Sequence, residues 1–250
     1  MTCLTPDKSD SYPSSFEYAI DKCIAAEKTS IRFWLPKVSS IGKGAFKNCT
    51  YLGEVKFCNT LEEIPDYAFY NCKRLYYVSF ASPDFSWDNV TSSTIDAEPH
   101  LVKIGKESFY NCNNLWDIAI NNMLCGIVSI GERAFQSSKI NYSSFRNADG
   151  IDINMGIVID STTTELHHGS LDFEGKHTFT FIAQNPESLH YSSLAFKSEN
   201  MELIVPLGSK SAYMSVFKNM TSDQISELEL NDQYWQDLKE LGYTVPWLNS

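Results

Sequence analysis

The feature that most constrains this chain is that it repeats itself. Ser40 to Phe57 reads SIGKGAFKNCTYLGEVKF, Glu63 to Phe80 reads EIPDYAFYNCKRLYYVSF, and Lys103 to Ile120 reads KIGKESFYNCNNLWDIAI. All three keep the pattern I-x-x-x-[AS]-F-x-N-C-x-x-L-x-x-[VI]-x-[FI] without a gap. A fourth copy, Ser129 to Phe145, keeps Ile130, Ala134 and Phe135, carries Ser138 in place of the cysteine, and is one residue short before Ile140. Phe46 to Phe69 is 23 residues, which sets the period; Phe69 to Phe109 is 40, one period plus 17 inserted residues, and Phe109 to Phe135 is 26. A single unit cannot hide Ile41, Phe46, Leu52 and Val55 by itself. Units stacked above and below can, so the period dictates a solenoid in which each copy supplies one short strand and one tight return.

Composition narrows the function. With 43% apolar residues the chain can bury a continuous core, and no run approaches the ~18 apolar residues of a membrane-spanning helix. A net charge of -11 argues against gripping phosphate backbones, which takes clustered Lys and Arg, so nucleic acid is not an expected partner. The opening MTCLTPDKSD has neither the basic nor the apolar region of a secretory signal, though a chain whose signal had been removed would look the same. Cys3 stands where a lipid-anchor cysteine could lie; the simpler reading is a cysteine near a frayed end.

The repeats resemble the BspA-type leucine-rich repeats found mainly on bacterial surface proteins and in some protists, whose units read roughly I-G-x-x-A-F-x-x-C-x-x-L-x-x-I-x-I-P. Ile31 to Ile41 resembles the opening strand and its Pro-containing turn. Thr178 to Phe196, followed by Leu203 to Tyr213, resembles the closing unit, with a strand, Val-Pro, Gly-Ser and a short Ala-Tyr helix. The likeness covers about residues 31–217 and is poorest over 146–177. It implies an α+β leucine-rich repeat solenoid, right-handed, with short parallel strands, and places residues 82–99 as an inserted loop. It further implies a monomeric, non-enzymatic protein-binding or adhesion module, at the cell surface or secreted, that recognises a host or neighbouring-cell surface protein. An intracellular scaffold is the alternative setting.

Residues 1–30 form a leader and cap. Ser14 to Glu17 has capping-box spacing, and Phe16, Ile20, Cys23 and Ile24 follow at helical intervals, predicting a helix over about 15–27 that seals the first repeat. Residues 218–250 read as an acidic helical segment, with Tyr234, Trp235, Leu238 and Leu241 near one face and Gly242 at its end.

Chemistry-bearing residues are few. Cys49, Cys72 and Cys112 share one register of the repeat, and the resemblance implies small, buried residues at a tight turn rather than a metal or disulfide site. The segment 167–177 gathers His167, His168, Asp172, Glu174 and His177, the ligand types of a zinc or manganese site and the basis for an alternative reading as a metal-dependent hydrolase. Alternation of Asp172 and Glu174 with Leu171 and Phe173 predicts instead a strand with the acids facing solvent. No hydrolase, zincin or P-loop signature is present, and Ile41-Gly42 recurs as Ile104-Gly105 and Ile130-Gly131, a structural glycine of the repeat. No cofactor and no metal are expected. Sequons at Asn48, Asn89, Asn141 and Asn219 do not place the chain in a secretory pathway.

What remains is surface. The alternation predicts that Arg32 and Trp34, Glu54 and Lys56, Tyr77 and Ser79, Asp117 and Ala119, and Tyr142 and Ser144 point outward from the strands. The candidate binding row is therefore Trp34, Glu54, Lys56, Tyr77, Asp117 and Tyr142. The insertion SPDFSWDNVTSSTIDAEP adds Phe85, Trp87 and Asp88 as a second candidate contact.

Overall fold

A computed structural model describes residues 3–4, 31–35, 38–81, 100–115, 117–118, 123–124, 126–139, 145–146, 152–153, 156–159, 163–186, 190–191, 195, 201–229 and 236. The chain winds into a β-solenoid of about six turns with parallel strands. One sheet runs in the order Cys3–Leu4, Ile31–Leu35, Leu52–Cys58, Tyr77–Ala81, Asp117–Ile118. A second long-strand sheet runs Met123–Leu124, Ile157–Ile159, His177–Phe181, Met201–Pro206, Ile225–Leu228. A narrower sheet of two-residue strands stacks Glu63–Ile64, Lys103–Ile104, Ser129–Ile130, Glu165–Leu166 and His190–Tyr191. One short antiparallel pair, Phe145–Arg146 with Asp152–Ile153, stands apart from these ladders.

The repeat pattern becomes the core directly. Phe33, Val55, Val78 and Ile118 are register partners in the first long-strand sheet, and the first three side chains are buried. Ile64, Ile104, Ile130 and Leu166 align in the narrow sheet, each 0% or 1% exposed. Between the sheets runs a column of rings. Phe46 stacks on Phe69 at 5.2 Å, Phe69 on Phe109 at 5.2 Å, Phe109 on Phe135 at 5.3 Å and Phe135 on Phe173 at 4.9 Å. Successive coils thus touch through one aromatic face each, at the rise that parallel strands impose.

The tight return is a third hydrogen-bonded ladder. The amide of Phe46 donates to Ala68 O, Phe69 to Ser108 O, Phe109 to Ala134 O, Phe135 to Ser170 O and Leu171 to Ala195 O. The residues two before and two after each Phe make the same step, as in Tyr67 to Lys106 O and Asn71 to Tyr110 O. Both flanking positions take the left-handed conformation: Gly44, Tyr67, Glu107, Arg133 and Gly169 on one side, Asn48, Asn71, Asn111 and Ser137 on the other. Asparagine tolerates that region better than other residues with a side chain, which accounts for the Asn before each cysteine. Asn71 then donates to Asn48 Oδ1 at 3.1 Å and Asn111 to Asn71 Oδ1 at 2.7 Å, an amide ladder along the turn. Gly105 and Gly131 are required by crowding: a Cβ on Gly105 would lie 2.5 Å from Asp66 N, and one on Gly131 2.6 Å from Gly105 C, whereas Gly42, in the first coil, has open space there.

Two expectations are corrected, both in or beside residues 146–177, where the likeness is poorest. The described residues there carry a coil of the array: Leu166 pairs in register with Ile130, and the amides of Arg133, Phe135 and Ser137 find His168, Ser170 and Asp172 carbonyls. Ser170 and Leu171 take the places of Ala134 and Phe135, while Phe173, two positions later, supplies the ring. Residues 167–174 therefore form the fifth turn, not a strand, and Asp172 is 8% exposed rather than solvent-facing. In the fourth coil the strand between Met123–Leu124 and His177–Phe181 is Ile157–Ile159. The repeat pattern placed it at Tyr142 and Ser144, which lie outside the described residues, as do the expected helices over 15–27 and around Trp235 and the insertion 82–99.

The sheet also runs past the expected boundary at 217. Helix α1, Lys210–Val216, is the short closing helix, held by Tyr213 and Phe217 each 5.6 Å from Phe181 and by Tyr213 Oη donating to Ala183 O at 2.7 Å. Beyond it a single 3-10 turn, Ser222–Gln224, leads into Ile225–Leu228, which pairs with Leu203 to Pro206. Ile225, 1% exposed, continues the inward row of Phe179 and Leu203. At the other end Cys3 is a register partner of Arg32, so the backbone there extends the sheet instead of fraying.

Candidate binding surfaces

Several positions of the candidate row are backbone register partners. Arg32, Glu54, Tyr77 and Asp117 are successive register partners, and Trp34, Lys56 and Ser79 form the next row. Arg32 Nε lies 2.9 Å from Glu54 Oε2 and donates to Tyr76 Oη at 3.1 Å, while Tyr76 Oη donates to Glu54 at 3.3 Å. Burial, opposed by the Arg32 hydrogen bond, holds the Tyr76 hydroxyl above its ordinary pKa. This trio is half-open and fixes Glu54 in place.

The second row differs from its expectation. Lys56 is 3% exposed and Ser79 0% exposed, although both face outward, and Thr180 and Val158 in the second long-strand sheet are fully buried too. Lys56 is thus not an open contact. Alternation reports which side of a sheet a residue faces, not what other chain lies over that side. Tyr142, Phe85, Trp87 and Asp88 lie outside the described residues, and of Trp34 and Asp117 only the backbone is described.

The turn cysteines are free and buried, as expected, but they are more than small apolar filler. Cys72 Sγ donates to Phe46 O at 3.0 Å and Cys112 Sγ to Phe69 O at 3.2 Å, and Ser138 Oγ gives the same bond to Phe109 O. Cysteine and serine interchange because each is a small donor aimed at the preceding coil's Phe carbonyl. Burial pushes both the Cys72 and the Cys112 thiols well up, so neither is a nucleophile at neutral pH.

The histidine segment is dispersed. His167, 55% exposed at its side chain, lies 3.8 Å from Glu165, whereas His177 turns inward against Phe173 at 5.3 Å with Nε2 on Glu174 O at 2.9 Å. Burial lowers the His177 pKa below its usual value. Among the described residues no group of three or more His, Cys, Asp or Glu side chains converges to hold a metal ion.

A third surface was not anticipated from the sequence. On the turn face Lys47, Tyr70, Tyr110, Gln136 and Asp172 occupy one position of successive coils, as the turn ladder shows. Tyr70 and Tyr110 stack at 5.0 Å, and Lys47 Nζ lies 4.8 Å from the Tyr70 ring and 5.0 Å from Tyr67. Arg74 lies 4.8 Å over Tyr51 in the same manner. Reading the variable positions of the repeat down the copies, rather than the fixed ones, is the signal that finds them.

Parallel ladders on the faces of each coil and a ring column between them define a leucine-rich-repeat solenoid. The family model for the BspA type leucine-rich repeat region matches residues 16–86 and 79–220 in 6 copies, so the chain belongs to that family. No curated protein and no solved structure matched it. Among the described residues no helix is long and apolar enough to cross a membrane.

Proposed function

We propose that the chain is a non-enzymatic recognition module that binds another protein, at the surface of a bacterial cell or secreted from it. The observation that carries this is the row of Arg32, Glu54 and Tyr77 on the outward side of hydrogen-bonded parallel strands, with Asp117 next in backbone register. Each coil adds one side chain to the row at roughly 5 Å spacing, on a backbone already fixed by the ladders. Contacts made there lose little conformational entropy, and a mixture of aromatic and charged side chains suits a protein partner. Membership of the BspA type family supports the same reading. Fold alone does not name the partner.

The test compares the wild-type chain with a Glu54→Lys/Tyr77→Ala variant for binding to purified host matrix and cell-surface proteins by surface plasmon resonance. A saturable partner whose affinity falls by at least about tenfold in the variant, at unchanged unfolding midpoint, supports the reading. Equal binding by both chains moves recognition off this row, and the absence of any saturable protein partner refutes it. Surface placement is tested by protease treatment of intact cells carrying the natural gene. Degradation of the chain on whole cells is expected, and protection until lysis contradicts it.

A further inference from the structure

We propose that the turn face of the first coils is a second interaction surface, separate from the strand face, that binds carboxylate-rich segments of a partner protein. It would serve the protein-recognition role above and rests on that reading.

The surface is basic in a molecule whose net charge is -11. Lys47, Lys73 and Arg74 are exposed, and among the described residues none meets a carboxylate within ion-pair distance. The next coils differ: Lys106 lies 2.7 Å from Glu132, and Arg133 is paired with Glu107. Here the cations rest on rings instead, Lys47 on Tyr67 and Tyr70 and Arg74 on Tyr51. A ring positions a cation without neutralising it, so the charges are held in place and left available. Lys43, 5.2 Å from the Tyr67 ring, is the exception, with Asp66 at 3.3 Å.

The ring geometry selects the ligand. The faces of Tyr67 and Tyr70 are occupied by lysine heads or by the neighbouring ring, Tyr70 and Tyr110 lying 7° from parallel. A sugar needs an open aromatic face to stack on, and the Tyr70 ring lies between Lys47 and Tyr110. What they leave at their edges are phenol hydroxyls, which donate to carboxylates alongside ammonium and guanidinium groups. A long phosphate chain would run into the negative field of the remaining surface, whereas a short acidic peptide needs only this strip.

The experiment titrates the full chain into labelled oligoglutamate and follows fluorescence anisotropy. Wild type is expected to bind with an affinity that falls as salt rises, and Lys47→Glu/Arg74→Glu to bind at least about tenfold more weakly. Lys176→Glu/Lys218→Glu makes the same charge change at exposed positions elsewhere and is expected to bind as wild type does. Both variants alter exposed side chains, and matched unfolding midpoints establish that they fold. No binding by wild type, equal weakening in the two variants, or binding of a sulfated polysaccharide without oligoglutamate would each overturn the proposal. The Glu54→Lys/Tyr77→Ala variant is expected to retain oligoglutamate binding. The probe is a defined peptide, so failure here leaves the strand-face test standing.

Discussion

Ser108, Ser170 and Ser138 are all fully buried, yet their hydroxyls have different fates. Ser138 Oγ donates to Phe109 O and accepts from Cys112 N at 3.0 Å. Ser108 Oγ and Ser170 Oγ have no hydrogen-bond partner among the described residues, and they occupy the position held by Ala45, Ala68, Ala134 and Ala195 in the other coils. Ser108→Ala and Ser170→Ala should each leave stability unchanged or raise it by about 1 kcal/mol, and Ser138→Ala should lower it by about 1 kcal/mol, read from denaturant midpoints. Destabilisation by all three alike would contradict this assignment. His177 carries a pH effect of known sign. Burial lowers its folded pKa, so the unfolded chain takes up the proton first as pH falls through about 6.5. Its contribution is complete above that value and is lost below it. His177→Phe, which keeps a ring against Phe173, should flatten the loss of stability between neutral pH and pH about 5; an unchanged pH profile would reject the role.

At the scale of the element, the turn is where sequence and structure agree most closely. Phe69 touches Phe46 on one face and Phe109 on the other, and no solvent reaches it. Phe69→Ala should cost about 3 to 5 kcal/mol by opening a cavity between two coils. Gly105→Ala places a methyl against the backbone of Asp66 and should cost about 1 to 3 kcal/mol. Thermal or denaturant unfolding measures both, and an unchanged midpoint for either would contradict the close stacking. These features were legible because Ile, Phe, Asn, Cys and Leu recur at fixed offsets in the first three copies, and Gly42 of the first returns as Gly105 in the third. The fifth turn was not, because it splits the work of one Phe between Leu171 and Phe173, and a fixed-offset reading cannot follow a ring that moves two positions. The strand Ile157–Ile159 was missed for a related reason: the fourth coil carries extra residues before its strand, and the repeat pattern places the strand too early.

For the whole molecule, the repeat made the architecture and the strand register readable from Ile31 to Ile118, including the register partners Arg32, Glu54, Tyr77 and Asp117. Accessibility was less readable. Lys56 obeys the alternation and is nevertheless closed to solvent, since alternation fixes the side of the sheet and not what covers it. The aromatic strip on the turn escaped notice because its residues occupy positions the pattern leaves free. Coils joined only through neighbours can fray or separate wherever one interface is weak, and the irregular stretch 146–177 is where a break would fall. Continuity through it is tested most directly by native-state hydrogen exchange of the turn amides. If the solenoid is unbroken, the amides of Arg133, Phe135, Ser137 and Leu171, which donate to His168, Ser170, Asp172 and Ala195 carbonyls, exchange only through an opening as costly as that of Phe69 and Phe109. Rapid exchange of those four amides beside full protection of Phe69 and Phe109 would contradict a single continuous solenoid.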